Sequence, residues 1–411
     1  MGNVDFRRQI VRFLMCIFLV SSGLLTLGCN KKTEKEPHPA DEVDLSGILT
    51  SLGENVIVPI YTDFHTAAVA LETAASAYYD ALGDGTDAAA ALTTLEEGWK
   101  TTMAAWQQAE MLQIGPAGSS ADAVAGANLR DEIYSWPTVN NCRVDQELVA
   151  GEYSEANFFS VNLVNTYGLD VVEYLVFNQS ADNSCPSYAT MNTDGSWEGL
   201  TEANKALARA NYVKALAANL LTRAQELVDH WAASKGNFVA DLSKAGSSDS
   251  VYESQLQALN DVFAAMFYLD TTVKDKKLAL PAGIDVGCES ACPDKLESQW
   301  AQVSKEHIVA NLQAFQRTFH GGLDATAHTG FDDFLVDMGY ADLATTMTND
   351  IASAITTTQA LDGTMHSALS SNLDGVKGVH AAVKAVTDNL KADFVTILNL
   401  TIPSEGAGDS D

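Results

Sequence analysis

From Asp44 onward apolar residues return every three or four positions along the chain. Ile57, Ile60, Tyr61, Phe64, Ala68, Leu71 and Ala75 make one such run, which is the spacing of a helix face turned toward a core. Pro59 falls inside the run and predicts either a kink or a second helix start. A second helix is predicted from about 87 to 113, stopping at GPAGSS, and a third leads into YSWP at 134–137. The stretch 153–178 ends in the most apolar segment of the mature chain, and a long polar loop, NQSADNSCPSYATMNTDGSW, follows it. The pattern predicts a helix from about 200 to 235. KGNFVADLSKAGSSDS at 235–250, rich in Gly and Ser, reads as a junction. Beyond it Leu256, Leu259, Val262, Phe263, Met266 and Leu269 mark another helix. Further helices are predicted over 294–319, 331–361 and 370–400, the last with Val376, Val379, Val383, Val386, Leu390, Phe394 and Ile397 on one stripe.

Composition supports this reading. The 411 residues are 46% hydrophobic but only 8% aromatic, with 9 Pro, which suits packed helices better than a sheet sandwich. The expected fold is all-α, with two related helical bundles side by side, one over 44–240 and the other over 241–403; a single irregular array of helices is the alternative. A net charge of −30 excludes nucleic acid as a partner, because no phosphate-neutralising surface is available.

Residues 1–28 read as a signal sequence. RRQIVR is a basic start, FLMCIFLVSSGLL a short apolar core, and the segment ends at Gly28 before Cys29. That ending resembles a bacterial lipoprotein signal, with Cys29 the lipidated first residue. Thr26 and Leu27 depart from the usual order, so cleavage without acylation is the alternative. Asn30 after the cysteine fits the outer membrane, and 29–43 forms a polar tether. Of six cysteines, Cys16 leaves with the signal and Cys29 is acylated, so Cys142, Cys185, Cys288 and Cys292 remain. In an oxidising compartment an even remainder reads as disulfides, and of three pairings the local one, Cys142–Cys185 with Cys288–Cys292, is preferred. Zinc–thiolate binding is the rival, against which stands the absence of any Cys-x-x-Cys.

One segment does not fit a plain core. In YGLDVVEYLVF at 167–177, Asp170 and Glu173 sit three apart on an apolar helix and therefore share a face. Two carboxylates facing a core are costly unless something neutralises them. Gly168 could open the helix and put Asp170 in its first turn, where the dipole favours a carboxylate. Glu173 could pair with Arg130 or Arg223. A cation between the two carboxylates is the other solution, and Glu110, in AWQQAEMLQIGP, is a third acid on an apolar helix. A second cluster, His320, His328, Asp332 and Asp333 in HGGLDATAHTGFDD, reads as either a further metal site or solvated loop residues. NTDGSWEGLTE at 192–202 misses the calcium-loop spacing, and neither a Gly-x-Ser-x-Gly nor a phosphate-cradling glycine loop occurs.

Four stretches in order, VIVPIYTDF (56–64), AWQQAEMLQIGP (105–116), LRDEIYSWP (129–137) and YGLDVVEYLVF, together resemble the imelysin family of bacterial envelope proteins, also classed as metallopeptidases. FQRTFHGG at 315–322 adds a weaker match. The resemblance implies two helical bundles, a metal site at a His-x-x-Glu pair, and an association with iron uptake. Here Asp170 stands where the family's motif has His. The expected metal ligands are thus Asp170, Glu173 and Glu110, a hard all-oxygen set that favours iron and admits calcium, magnesium or manganese over zinc. Trp136 and Pro137 are expected to set a turn. The expectation is an envelope lipoprotein held to the membrane by its lipid, facing the periplasm, that binds a metal ion or metal-bearing ligand beside iron-uptake components. The alternative is a metallopeptidase with an altered site.

Overall fold

The helical period of the first apolar run translates directly into structure. A π-helical turn, Leu52–Ile57, passes into the long helix Val58–Asp84, and Pro59 occupies the first turn of that helix. Ile57 and Val58 both have right-handed helical dihedrals, so the proline lies inside a continuous helical stretch, just after the π-helical turn gives way to the α-helix. The helix stops at Gly85, whose φ of 69° belongs to the left-handed region. Asp87 then caps Ala88–Glu110, its carboxylate accepting the Ala90 N–H at 3.1 Å. Thr201 does the same for Glu202–Trp231 through the Asn204 N–H, at 3.2 Å.

The computed structural model describes residues 43–178 and 180–403, which belong to one compact unit. The expected signal sequence, the acylated Cys29 and the tether up to residue 42 lie outside the described residues. Among the described residues every regular element is helical, and no helix is long and apolar enough to cross a membrane. The long helices gather into two bundles. Val58–Asp84, Ala88–Glu110, Leu169–Phe177 and Glu202–Trp231 pack together in the first. The π-helical stretch Leu269–Ala279 joins Ser304–Phe319, Ala341–Gln359 and Leu373–Asn389 in the second. Ala88–Glu110 also packs on Ser304–Phe319, so these two helices tie the bundles together. Val376, Val379, Val383, Val386, Leu390 and Phe394 are all buried, and Phe394 stacks on Phe263 at 5.5 Å.

Several expectations are corrected. The helix expected over 294–319 begins only at Ser304; the residues before it form a loop with a different job, described below. The helix expected over 331–361 is two, Phe331–Asp337 and Ala341–Gln359, parted at Gly339 with φ 89°. The one expected over 370–400 is preceded by Met365–Ser371 and begins at Leu373, with a π-helical turn at Leu390–Phe394. The Gly- and Ser-rich 235–250 segment contains a short helix, Phe238–Ser243, that buries Phe238 and Leu242 and packs on Ser46–Ser51. Both local disulfides form, Cys142–Cys185 and Cys288–Cys292.

Candidate functional site

Gly168 precedes the helix Leu169–Phe177 with φ 111°. A Cβ at that position would lie 2.9 Å from Asp170 Oδ1 and 3.0 Å from the Ile133 carbonyl oxygen, so only glycine fits without strain. The turn it makes places Asp170 in the first helical turn, as its position after a glycine predicts. Asp170 Oδ2 accepts the Ser135 N–H at 3.2 Å and the Ser135 hydroxyl at 2.8 Å, and Oδ1 accepts the Val171 N–H at 3.0 Å. Burial pushes this carboxyl up to about 7, with those donors and the Arg130 charge pulling the other way.

Glu173 lies one turn further along and takes its donors from the other bundle. Its Oε1 accepts the Ser298 hydroxyl at 2.9 Å, the Trp300 N–H at 3.0 Å and the Ala301 N–H at 2.9 Å. This is why 298–301 is not helical: two backbone N–H groups that a helix would use internally serve the carboxylate. Burial still raises the Glu173 pKa, against these bonds and the nearby His307. Neither arginine considered from sequence holds Glu173. Arg130 pairs with Glu110 at 2.9 Å, and Arg223 turns to Glu226 at 2.7 Å and Glu132 at 3.6 Å.

Glu110 is the last residue of its helix and is fully buried. Its Oε1 receives Arg130, whose other contacts are the Asp131 carboxylate at 3.0 Å and the Trp136 carbonyl at 3.2 Å. Its Oε2 lies 3.8 Å from Lys277 Nζ, and Glu110 is also the carboxylate beside the buried Tyr268 phenol. Burial raises the pKa of the Tyr134 phenol, and the charges of Glu297, Glu110, Asp170 and Glu173 add to it; it donates to Glu297.

Sequence reasoning missed the centre of this network. Lys277, almost wholly buried, reaches Glu297 Oε1 at 2.9 Å and Asn311 Oδ1 at 3.0 Å, and also donates to Gln107. Tyr134 Oη and Gln107 Nε2 each donate to Glu297 Oε1 at 2.9 Å, and His307 Nδ1 lies 3.1 Å from Oε2. Burial alone would raise the Glu297 pKa; Lys277 and His307 outweigh it and hold this carboxyl well below the ordinary range. One signal was available. Lys277 follows Leu269 and Val273 at spacings of four, a charged residue at the next position of an apolar stripe.

A cleft of about 970 Å³ opens beside this network, lined among others by Arg130, Ser135, Trp136, Phe267 and Tyr268. Trp136 and Pro137 set a turn as expected, through a cis peptide bond, and Trp136 in addition faces the cleft. Arg130 and Ser135 are the links from the cleft wall to Glu110 and Asp170.

The donor chemistry does not fit a bare metal ion. Each expected ligand is aimed at protein N–H or O–H groups or at a fixed cation, and an ion placed among them would face the Arg130 guanidinium and the Lys277 ammonium. Among the described residues no three His, Cys, Asp or Glu side chains converge on a point that could hold one. In the second cluster three of the four residues have internal partners. His320 Nδ1 lies 2.6 Å from Asp332 Oδ2, and Asp333 caps the next helix by accepting the Gly330 N–H at 3.0 Å.

The Imelysin family model matches residues 57–392. Two solved structures share the fold. One, an iron-regulated protein A precursor from Parabacteroides distasonis, is 17% identical, with a TM-score of 0.65, 89% of this chain covered and 97% of that one. The other, an imelysin-like protein from Psychrobacter arcticum, is also 17% identical, with a TM-score of 0.65, 88% of this chain covered and 98% of that one. At this identity the likeness is one of fold. No curated protein matches the chain.

Proposed function

The chain belongs to the imelysin family, and on that footing we propose that it is a lipid-anchored envelope protein that takes a metal-bearing ligand into its cleft in connection with iron uptake. The observation that carries this reading is the large cleft whose wall residues, Arg130 and Ser135, are bonded to buried carboxylates behind them. A metal that arrives inside its own chelate needs no protein ligands, so Asp170, Glu173 and Glu110 keep the donors they have. Their role is then to hold the wall in place. The name of the Parabacteroides neighbour, an iron-regulated protein, supports the link to iron. Asp170 in the place of the motif His removes the imidazole that zinc peptidases use, which argues against peptide hydrolysis. The Gly28–Cys29 sequence supports the anchor.

The test is elemental analysis of purified protein after gel filtration. One sample is first exposed to bare iron, calcium, manganese and zinc ions, another to iron(III) as a trihydroxamate complex. Iron should co-elute with the protein from the chelate, and retention should drop in Trp136→Ala. No iron retained from the chelate would refute the reading. Bare-ion binding that is lost in Asp170→Asn with Glu173→Gln would replace it with a protein-ligated metal. For the anchor, Cys29→Ala should move the protein from the membrane to the soluble fraction.

A further inference from the structure

We infer that the first bundle holds a second ligand site, a small pocket that takes a short aliphatic carboxylate, with the acid group on Arg209 and Tyr78 and the tail against Leu175, Val176 and Val213. No residue of this pocket lines the cleft, so the inference does not depend on the function proposed above.

Shape comes first. The pocket has a volume of about 100 Å³. Leu175, Val176, Ala210 and Val213 are each 3% exposed or less and form its apolar side. Tyr78 and Arg209 are less buried and mark the side nearer solvent. Apolar walls that face open space forgo contacts which an aliphatic tail would restore. A dry cavity of about 150 Å³ is known to take benzene, so this one suits a ligand of about four to six non-hydrogen atoms.

Charge comes second. In a chain of net charge −30 this lining is an exception. Its one acid, Glu202, is 75% exposed at the side chain and pairs with Lys205 at 3.1 Å. That leaves Arg209. Its Nη1 donates to the Asn178 carbonyl at 2.7 Å and its Nη2 to the Ser180 carbonyl at 3.1 Å. These bonds fix the guanidinium but use two of its five N–H groups, and a carbonyl carries no formal charge. Among the described residues Arg209 makes no ion pair with a carboxylate. Asp145, which feels its charge, commits Oδ2 to the Tyr174 hydroxyl at 2.8 Å and the Ser184 N–H at 2.7 Å.

The third observation is a phenol beside that cation. Burial raises the Tyr78 pKa and the Arg209 charge pulls it down, so the two groups are neighbours. The Tyr78 hydroxyl donates to no described residue. A carboxylate accepts from a guanidinium and a phenol together, through charge-assisted bonds. An ammonium ligand would instead meet the charge of Arg209, and a neutral amide would lose the attraction.

The experiment is a titration of the full protein with butyrate at pH 7, followed by methyl NMR on Leu- and Val-labelled protein. Butanamide and butylamine, of matching length, serve as the neutral and cationic probes. Butyrate should shift the methyl signals of Leu175, Val176 and Val213 in a saturable way and leave that of Val164, in the cleft, where it is. Butanamide should bind at least about tenfold more weakly and butylamine not at all. Ala206→Leu, a substitution between two good helix formers at a lining position, fills the pocket and should abolish the shifts with the fold intact. Tyr78→Phe should weaken butyrate about fivefold, the loss of one net hydrogen bond. Arg209→Gln should weaken it about tenfold or more; should that variant lose its fold, Ala206→Leu and the butanamide comparison decide the matter. No saturable shift with butyrate, shifts that survive Ala206→Leu, or equal binding of butyrate and butanamide would each overturn the inference.

Discussion

Replacing Lys277 by Met tests the account of the buried network most severely. Met fills a similar volume with an adaptable apolar chain, so the loss is of charge and hydrogen bonds rather than packing. The substitution takes from Glu297 its nearest cation at 2.9 Å, and leaves the amide oxygens of Asn311 and Gln107 without their donor. Breaking a buried pair by removing one partner costs about 3–5 kcal/mol. His307, 3.1 Å from the other Glu297 oxygen, remains and compensates in part, which places the expected loss near the lower end, at about 3 kcal/mol. Urea unfolding followed by circular dichroism at pH 7 measures it. The pH dependence gives a second handle. In the wild type Glu297 has a folded pKa below its ordinary 4.5, so its stabilisation is present above that value and lost as pH falls through the folded pKa. Without Lys277 the folded pKa rises, Glu297 takes up its proton at higher pH, and the unpaired charge disappears. The gap between wild type and variant should therefore shrink from pH 7 toward pH 4. Glu297→Gln in the Lys277→Met background should recover part of the loss, as coupled neighbours do. A loss under about 1 kcal/mol that does not change with pH would refute the network as a source of stability.

Gly168→Ala should cost about 1–3 kcal/mol, because φ 111° and contacts under 3.1 Å leave no unstrained place for a methyl group; a thermal midpoint equal to wild type would contradict this. Cys142→Ser with Cys185→Ser should cost roughly 4 kcal/mol in the chain-entropy model for a 43-residue separation, measured as a shift in urea midpoint. Asp261 is pushed by burial from 3.8 to about 6, against the Tyr252 hydroxyl that donates to it at 2.6 Å. A raised carboxyl pKa gives stability that is full below 3.8 and lost as pH rises through about 6, so Asp261→Asn should flatten the fall in melting temperature across that window. An unchanged slope would count against it.

The helices were legible because their burial follows a local period. Val376, Val379, Val383 and Val386 announce their stripe, and the stripe is buried. Gly168 could be read as the opening of a helix, since a glycine before an apolar run has a local conformational reason. The disulfides were legible through their short separations. What could not be read is whatever depends on a partner far along the chain. Residues 298–301 have helix-compatible composition, but the Ser298 hydroxyl and the Trp300 and Ala301 N–H groups go to a carboxylate 125 or more residues earlier. Lys277 was hidden for the same reason, because its purpose lies in Gln107, Glu297 and Asn311 on other elements. The three site acids were found as misfits in apolar helices, and what neutralises them was not, because hydrogen-bond donors on loops leave no periodic trace.

The dependence of Glu173 on Ser298, Trp300 and Ala301 has a consequence for how the molecule is born. A chain made from its N-terminus completes the apolar helix bearing Glu173 well before the residues that satisfy it exist, 125 positions later at the nearest. At ordinary rates of synthesis that interval is on the order of 10 s. During it the acid is either solvated, which keeps the helix from settling into its core, or protonated. The first bundle is therefore short of hydrogen-bond donors until residues 298–301 reach it. Truncation anywhere before residue 298 should yield a fragment that holds helices but not a native interior, a form for proteolysis to clear.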